Sequence, residues 1–189
     1  MLHLSSRSGG FWALILVGVF FMVACSSVKE KQEIQAGSAA SSSENHHHEA
    51  QFAVQHTSAE WKTLLPPKTF EVMRNESTER AFSSALDKQK EEGVYYCASC
   101  GQALFDSKDK FDSGTGWPSY SQPISSKNVG TRDDTQLFMT RTEVHCSRCG
   151  GHLGHVFDDG PAPTGLRYCM NGVALSFKGR AEAPPELLK

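Results

Sequence analysis

Apolar positions along the chain fall into three regimes. From residue 11 to 24 every side chain is apolar or glycine, with no charge and no alternation. From 26 to 56 large apolar residues are sparse, and Ser, Ala, Gln, Glu and His predominate. From Thr57 onward short apolar runs alternate with clusters of Gly, Pro, Asp and Ser. In that third part Thr57 and Glu60 have the spacing of a capping box. A short helix is therefore predicted to open at Thr57, run through Trp61 and end at Pro66 and Pro67. A second helix is predicted over 81–92, stopping at Gly93, and strands over 94–96, 136–144 and 166–177. The pattern predicts a mainly β, antiparallel domain over 57–183 with short helices at its N-terminal end, followed by a tail over 184–189.

The first regime has the features of an export signal. Arg7 precedes the apolar stretch, which as a helix would span roughly 21 Å, short of the roughly 30 Å hydrocarbon core. That length fits the apolar region of a signal peptide over 1–24. Val23-Ala24 before Cys25, then Ser26 and Ser27, resembles the lipobox of bacterial lipoproteins, although Met22 stands where leucine is usual. The resemblance implies lipidation of Cys25 and export to the cell envelope. With no aspartate at position 26, it implies anchoring in an outer membrane facing the periplasm. The alternative is an uncleaved short anchor. The second regime, 25–56, cannot bury enough apolar surface to offset its ordering entropy and is expected to be a flexible tether. His46, His47 and His48, with His56 nearby, are read as part of that solvated linker; metal binding is the alternative.

Composition narrows the function classes. A chain of 189 residues holds one domain beside such a leader and tether. A formal net charge of -2 gives no electrostatic case for nucleic-acid binding. The six cysteines are more informative. Cys97 and Cys100, then Cys146 and Cys149, form two Cys-x-x-Cys-Gly units. Each turn can aim two thiolates at one point, and the pair can close a tetrahedral cage around one structural zinc ion, clamping distant strand ends together. Disulfides are the alternative in an oxidising compartment.

Cys169 is left over, a candidate reactive thiol or a small buried side chain. A strand there would place Arg167, Cys169 and Asn171 on one face, continuing to Val173, Leu175 and Phe177. Arg167 would lower the thiol pKa, or make an ordinary ion pair. His152 and His155 are candidate proton donors, or else ligands or packing residues. They lie three apart, so an ideal strand would point them to opposite faces, and a bulge at Gly154 would bring them together. Gly and Pro flank Trp117, which offers an apolar wall for a methyl-bearing group or a cover for the core.

Taken together, these segments resemble the B-type methionine sulfoxide reductases over 61–177. The resemblance is carried by Thr78-Glu79 before Phe82, both Cys-x-x-Cys-Gly units, Ser113-Gly114-Thr115-Gly116-Trp117-Pro118-Ser119, Gly151-His152-Leu153-Gly154-His155-Val156-Phe157, and Arg167-Tyr168-Cys169-Met170-Asn171. It implies a zinc-clamped β-tent and reduction of the R epimer of methionine sulfoxide, free or in oxidised proteins. It also implies that Trp117 cradles the substrate methyl, that His152, His155 and Asn171 surround the sulfoxide oxygen, and that Asp159 pairs with Arg167. Cys169 would attack the sulfoxide sulfur, with an imidazolium supplying the proton, and would end as a sulfenic acid. Some relatives carry a resolving cysteine where this chain has Thr115, so recycling is expected from an external, thioredoxin-like thiol. Gly172 and Tyr120 replace a usual serine and phenylalanine. A non-catalytic zinc-knuckle binding module is the competing reading.

Overall fold

The computed structural model describes residues 52–135 and 140–189. The expected signal peptide, Cys25, the tether as far as residue 51 and residues 136–139 of an expected strand lie outside the described residues.

Helix α1, Ser58–Leu64, opens on the predicted capping box: the Thr57 hydroxyl accepts from the Glu60 N–H and the Glu60 carboxylate accepts from the Thr57 N–H. Pro66 and Pro67 end it, but Pro67 also begins α2, Pro67–Asn75, which the sequence reading did not foresee. Proline at the first helical position forgoes only an N–H that has no helical partner anyway. The helix predicted over 81–92 is absent, leaving a single 3-10 turn, Ala85–Asp87. Local side chains divert the backbone there: Ser84 Oγ accepts from the Leu86 N–H, and Gln89 Oε1 accepts from the N–H groups of Lys90 and Glu91.

Among the described residues, nine antiparallel strands make two sheets. In the first, β1 (Gly93–Cys97) lies between β2 (Ala103–Asp106) and β9 (Leu175–Gly179). The second runs β3 (Lys110–Phe111), β4 (Ser119–Tyr120), β8 (Arg167–Met170), β7 (His152–Phe157), β6 (Arg141–Cys146), β5 (Val129–Asp134). The expected mainly β, antiparallel class with N-terminal helices is what the chain adopts. The single strand predicted over 166–177 is two, split by a 3-10 turn at Gly172–Ala174, and its halves belong to different sheets. Val173 and Leu175 therefore do not continue the face that carries Cys169.

Aromatic rings join the sheets. Tyr120 of β4 stacks on Phe105 of β2 at 4.4 Å and meets Tyr95 of β1 edge-on at 5.1 Å. Thr69, Phe70, Val72 and Met73 of α2 are buried, and Thr69 Oγ1 donates to the Val173 carbonyl of the interrupting turn.

The packed body extends beyond the expected limits of 57 and 183. Val54 is buried and its N–H donates to the Arg148 carbonyl, while Phe52 stands edge-on to His145. His56 packs edge-on against Trp61. At the other end, the Leu188 N–H donates to the Cys100 carbonyl and Leu188 packs against the core.

Gly154 of β7 pairs with Met170 of β8, and a Cβ there would lie 2.1 Å from the Cys169 carbonyl oxygen. Gly154→Ala is expected to destabilise the protein by roughly 3 kcal/mol, read as a lower midpoint in urea unfolding. An unchanged midpoint would show that the β7–β8 spacing is not fixed by this contact.

Candidate active site and metal centre

Cys97 ends β1 and Cys146 ends β6, so the two Cys-x-x-Cys turns project from different sheets toward one point. The turns are alike in detail. The Gly101 N–H donates to the Cys97 carbonyl and the Gly150 N–H to the Cys146 carbonyl, both at 2.9 Å. Both glycines have the positive φ the turn needs, 75° and 67°. All four sulfurs lie within 4.8 Å of one another; Cys97–Cys149 is 3.7 Å and Cys100–Cys146 is 3.6 Å. A disulfide would bring sulfurs to about 2.05 Å. A tetrahedral ion held at about 2.3 Å from each sulfur would instead set them roughly 3.8 Å apart. The spacing fits a metal and not two disulfides, and all four thiols are buried, as a closed structural site requires. Cations and donors surround the cage. Gln102 Nε2 donates to Cys146 Sγ at 3.6 Å, and Arg74, stacked 3.7 Å over Trp61, donates to the Cys149 carbonyl at 2.8 Å. Hydrogen bonds from the other three thiols, aided by Arg74, hold Cys149 well below the ordinary thiol range.

The second site follows from strand register. Residues opposite one another across an antiparallel sheet point to the same side. Ser119 faces Cys169, Cys169 faces His155, His155 faces Glu143, and Glu143 faces Arg132, so one row crosses five strands. Between His145↔His152 and Val144↔Gly154, β6 advances one residue and β7 advances two. Leu153 is thus an inserted bulge residue, and it turns His152 to the side of His155, with ring centroids 5.4 Å apart. The expected bulge exists, one residue before the glycine.

A cavity of about 170 Å³ opens over this row, lined by Thr78, Trp117, Arg141, Gly154, His155, Phe157, Cys169 and Asn171. Of the residues singled out in the sequence, Cys169, His155, Asn171 and Trp117 meet in it. His152 is buried behind them, 2% exposed, with Nδ1 2.7 Å from Glu143 Oε1. Arg167 and Asp159 form a two-point ion pair at 2.8 and 3.0 Å beside the cavity, with the guanidinium 4.4 Å over the Phe157 ring.

Electrostatics correct one expectation. Burial pushes the Cys169 thiol above its ordinary range, and this outweighs Thr115, Arg167 and Ser119, which pull it down. Burial likewise lowers His155, although Asp134 opposes it. At neutral pH the open site therefore holds a thiol and a neutral imidazole, not the thiolate beside an imidazolium that Arg167 and the histidines suggested. His155 Nε2 is 2.8 Å from Asp134 Oδ2, which also accepts from Arg141 at 2.7 Å. The carboxylate accepts, so Nε2 carries the hydrogen and Nδ1 keeps the lone pair. Glu143 holds His152 in the same manner. Burial raises the Glu143 pKa, but hydrogen bonds from His152 and Arg132 more than offset it and keep the carboxylate ionised.

Asp134, Glu143 and Arg141 carry no signal in the sequence, and Glu79 is legible there only as part of a motif, without a role. Glu79 ties the pocket together: its carbonyl accepts from Trp117 Nε1 at 3.1 Å, its N–H donates to Asn171 Oδ1 at 2.9 Å, and its carboxylate accepts from the N–H groups of Gly172 and Val173 at 2.6 and 3.0 Å. The local motif does not reveal this role, since every partner is distant along the chain. Thr115 touches the thiol, with Oγ1 3.9 Å from Cys169 Sγ, and belongs to a hydroxyl cluster with Ser113 and Ser119.

Among the described residues, fold and site define an antiparallel β domain with a four-cysteine cluster suited to a metal ion and a further, partly buried thiol in a pocket. The chain belongs to the SelR domain family, whose model matches residues 65–179. It is 58% identical over 133 residues to the peptide methionine sulfoxide reductase MsrB of Methanosarcina barkeri, covering 70% of this chain and 94% of that one. The proteins of the same name from Leptospira interrogans and Pseudomonas fluorescens are 48% and 50% identical, each over 67% of this chain and 97% of their own.

Because burial holds the Cys169 thiol protonated, its alkylation by iodoacetamide in the free protein should still accelerate past pH 9, the ordinary thiol value. Arg167→Met should shift that rise further up. A rate already level at neutral pH would mean that the thiolate is present at rest.

Proposed function

We propose that the protein is a lipid-anchored, zinc-stabilised reductase of methionine-R-sulfoxide, in proteins and as the free amino acid, with Cys169 as the nucleophile. The observation that carries this reading is the register that sets Cys169 opposite His155 in a cavity walled by Trp117 and floored by Asn171. The family relationship supports it, since the similar proteins bear the name of peptide methionine sulfoxide reductases.

The chemistry follows from the groups present. A sulfoxide sulfur is a weak electrophile until its oxygen takes a proton, so S–S bond formation and proton delivery must coincide. The Cys169 sulfur bonds to the sulfoxide sulfur while its thiol proton passes through the pocket to the oxygen. His155 Nδ1 holds the lone pair that can carry it, and Asp134 stabilises the transient imidazolium through Nε2. The resulting bond breaks as oxygen ends on Cys169, giving a sulfenic acid and methionine. Cys169 loses two electrons and the substrate sulfur gains them. Trp117 supplies apolar surface for the methyl group, and Asn171, held by Glu79 and the Leu153 carbonyl, directs its amide toward the oxygen. His152, clamped by Glu143, and the Asp159–Arg167 pair support this arrangement from behind and beside it. Two equivalents of an external thiol, supplied by a thioredoxin-like partner, then return Cys169 to the thiol and release water. Thr115 and Ser119 touch Cys169 from the 113–119 segment, and neither can form a disulfide.

Four buried cysteine sulfurs at tetrahedral spacing, with no oxygen ligand and no open position, suit zinc as a structural ion. The apolar run before Cys25 supports export and attachment to an outer membrane facing the periplasm.

With dithiothreitol as reductant, the wild type should reduce the separated R epimer and leave the S epimer. Cys169→Ser should lower the rate on the order of 10⁴-fold or more while zinc content and folding persist. A wild type that binds both epimers and reduces neither supports the binding-module reading instead. Cys146→Ser should lose zinc and unfold, monitored by metal analysis and circular dichroism; a folded, metal-free product would contradict the clamp.

A further inference from the structure

Phe82 is a residue the proposed chemistry does not use. It is 64% exposed, and its backbone is left-handed, with φ at 63°. Such a conformation is unfavourable for any side chain with a Cβ, and most of all for a bulky one, so something must hold it. Two contacts do. The Phe82 N–H donates to the Gly116 carbonyl at 2.7 Å, and the ring leans on Gly116 so closely that a Cβ there would meet ring and backbone at 2.8 Å. One ring face is thus fixed against the loop that carries Trp117, and Lys88 Nζ stands 6.0 Å from the ring centroid. Lys88 is itself paired with Asp87 and Asp112, and Asp112 Oδ1 accepts from the Gly114 N–H of the same loop.

Phe82 therefore sits where two cavity-lining stretches join. Thr78 and Trp117 line the pocket, the Glu79 carbonyl holds the Trp117 indole, and Phe82 closes the same pair of segments three residues later. The fold holds a phenyl ring in a costly conformation, outside the core, against Gly116, the residue before the pocket-lining Trp117. A lone exposed apolar residue usually needs no explanation, but a strained and anchored one beside a substrate cavity does.

We infer that Phe82 is a specificity-determining contact: an apolar shelf for the side chain adjacent to methionine sulfoxide in a peptide, making apolar-flanked sites the preferred substrates. The inference rests on the reductase reading above. The neighbouring charges are mixed in sign, so the shelf selects for apolar character and not for net charge. An aromatic contact of this kind corresponds to a preference of roughly tenfold in kcat/KM.

Two peptides of equal length test it, each with one methionine-R-sulfoxide, flanked on both sides by leucine in one and by serine in the other. Free methionine-R-sulfoxide serves as a third substrate. The wild type should favour the leucine-flanked peptide roughly tenfold. Phe82→Gly and Phe82→Asn both suit a left-handed backbone and retain the N–H that bonds Gly116, and both should bring that ratio close to one. A wild-type ratio near one, or variants that keep the wild-type ratio, overturns the assignment. Turnover of none of the three substrates by the wild type overturns the reductase reading itself, which the free amino acid reports independently of Phe82.

Discussion

The four-cysteine clamp is the constraint from which the remaining geometry follows. It joins the end of β1 in one sheet to the end of β6 in the other, at thiols far apart in sequence. β6 supplies Glu143 and sets the register of β7, so the position of both histidines depends on a strand whose end is fixed by the metal centre. Both ends of the described body also close over the clamp, through Val54 on Arg148 and Leu188 on Cys100. Helix α2 spans from the clamp, through Arg74 on Cys149, to the turn after Cys169, through Thr69 on Val173. A cation bound there would let four buried sulfurs ionise together in an apolar interior, and so would stabilise the fold and the row of Cys169 and His155 together.

Burial acts on the two reacting groups in opposite senses and gives one result. It raises the thiol and lowers the imidazole, so the pocket is uncharged at its centre while the ionised Glu143 carboxylate stands one step behind. A protonated thiol is a poor target for unwanted oxidation and alkylation, and in the proposed reaction the proton it holds is the one a sulfoxide oxygen needs, so that reactivity would wait on substrate. Arg167, which alone would favour the thiolate, spends much of its charge on Asp159.

Much of this was legible in the sequence where a local rule carries the information. The Cys-x-x-Cys-Gly spacing led to the clamp, the Thr57–Glu60 spacing to α1, and the cysteine left unpaired to the pocket. The His152–His155 bulge was legible as a requirement, since two histidines three apart can share a face only through an irregular strand. What escaped depended on partners distant along the chain. Glu79 acts through Trp117, Asn171 and Gly172, none of which its neighbours reveal. Asp134 and Glu143 meet their histidines only through register. The helix expected over 81–92 failed because Ser84 and Gln89 hydrogen-bond the local backbone, a competition that helical periodicity does not register. Pro67 was read as an ending and serves as a beginning.

The most direct test is a single turnover without reductant, followed by peptide mass analysis with a sulfenic-acid trap. One methionine should form per protein, with one trapped sulfenic acid at Cys169 and zinc retained by Cys97, Cys100, Cys146 and Cys149. Methionine formed with Cys169 unmodified, or with a disulfide joining Cys169 to Cys97, Cys100, Cys146 or Cys149, would contradict the account.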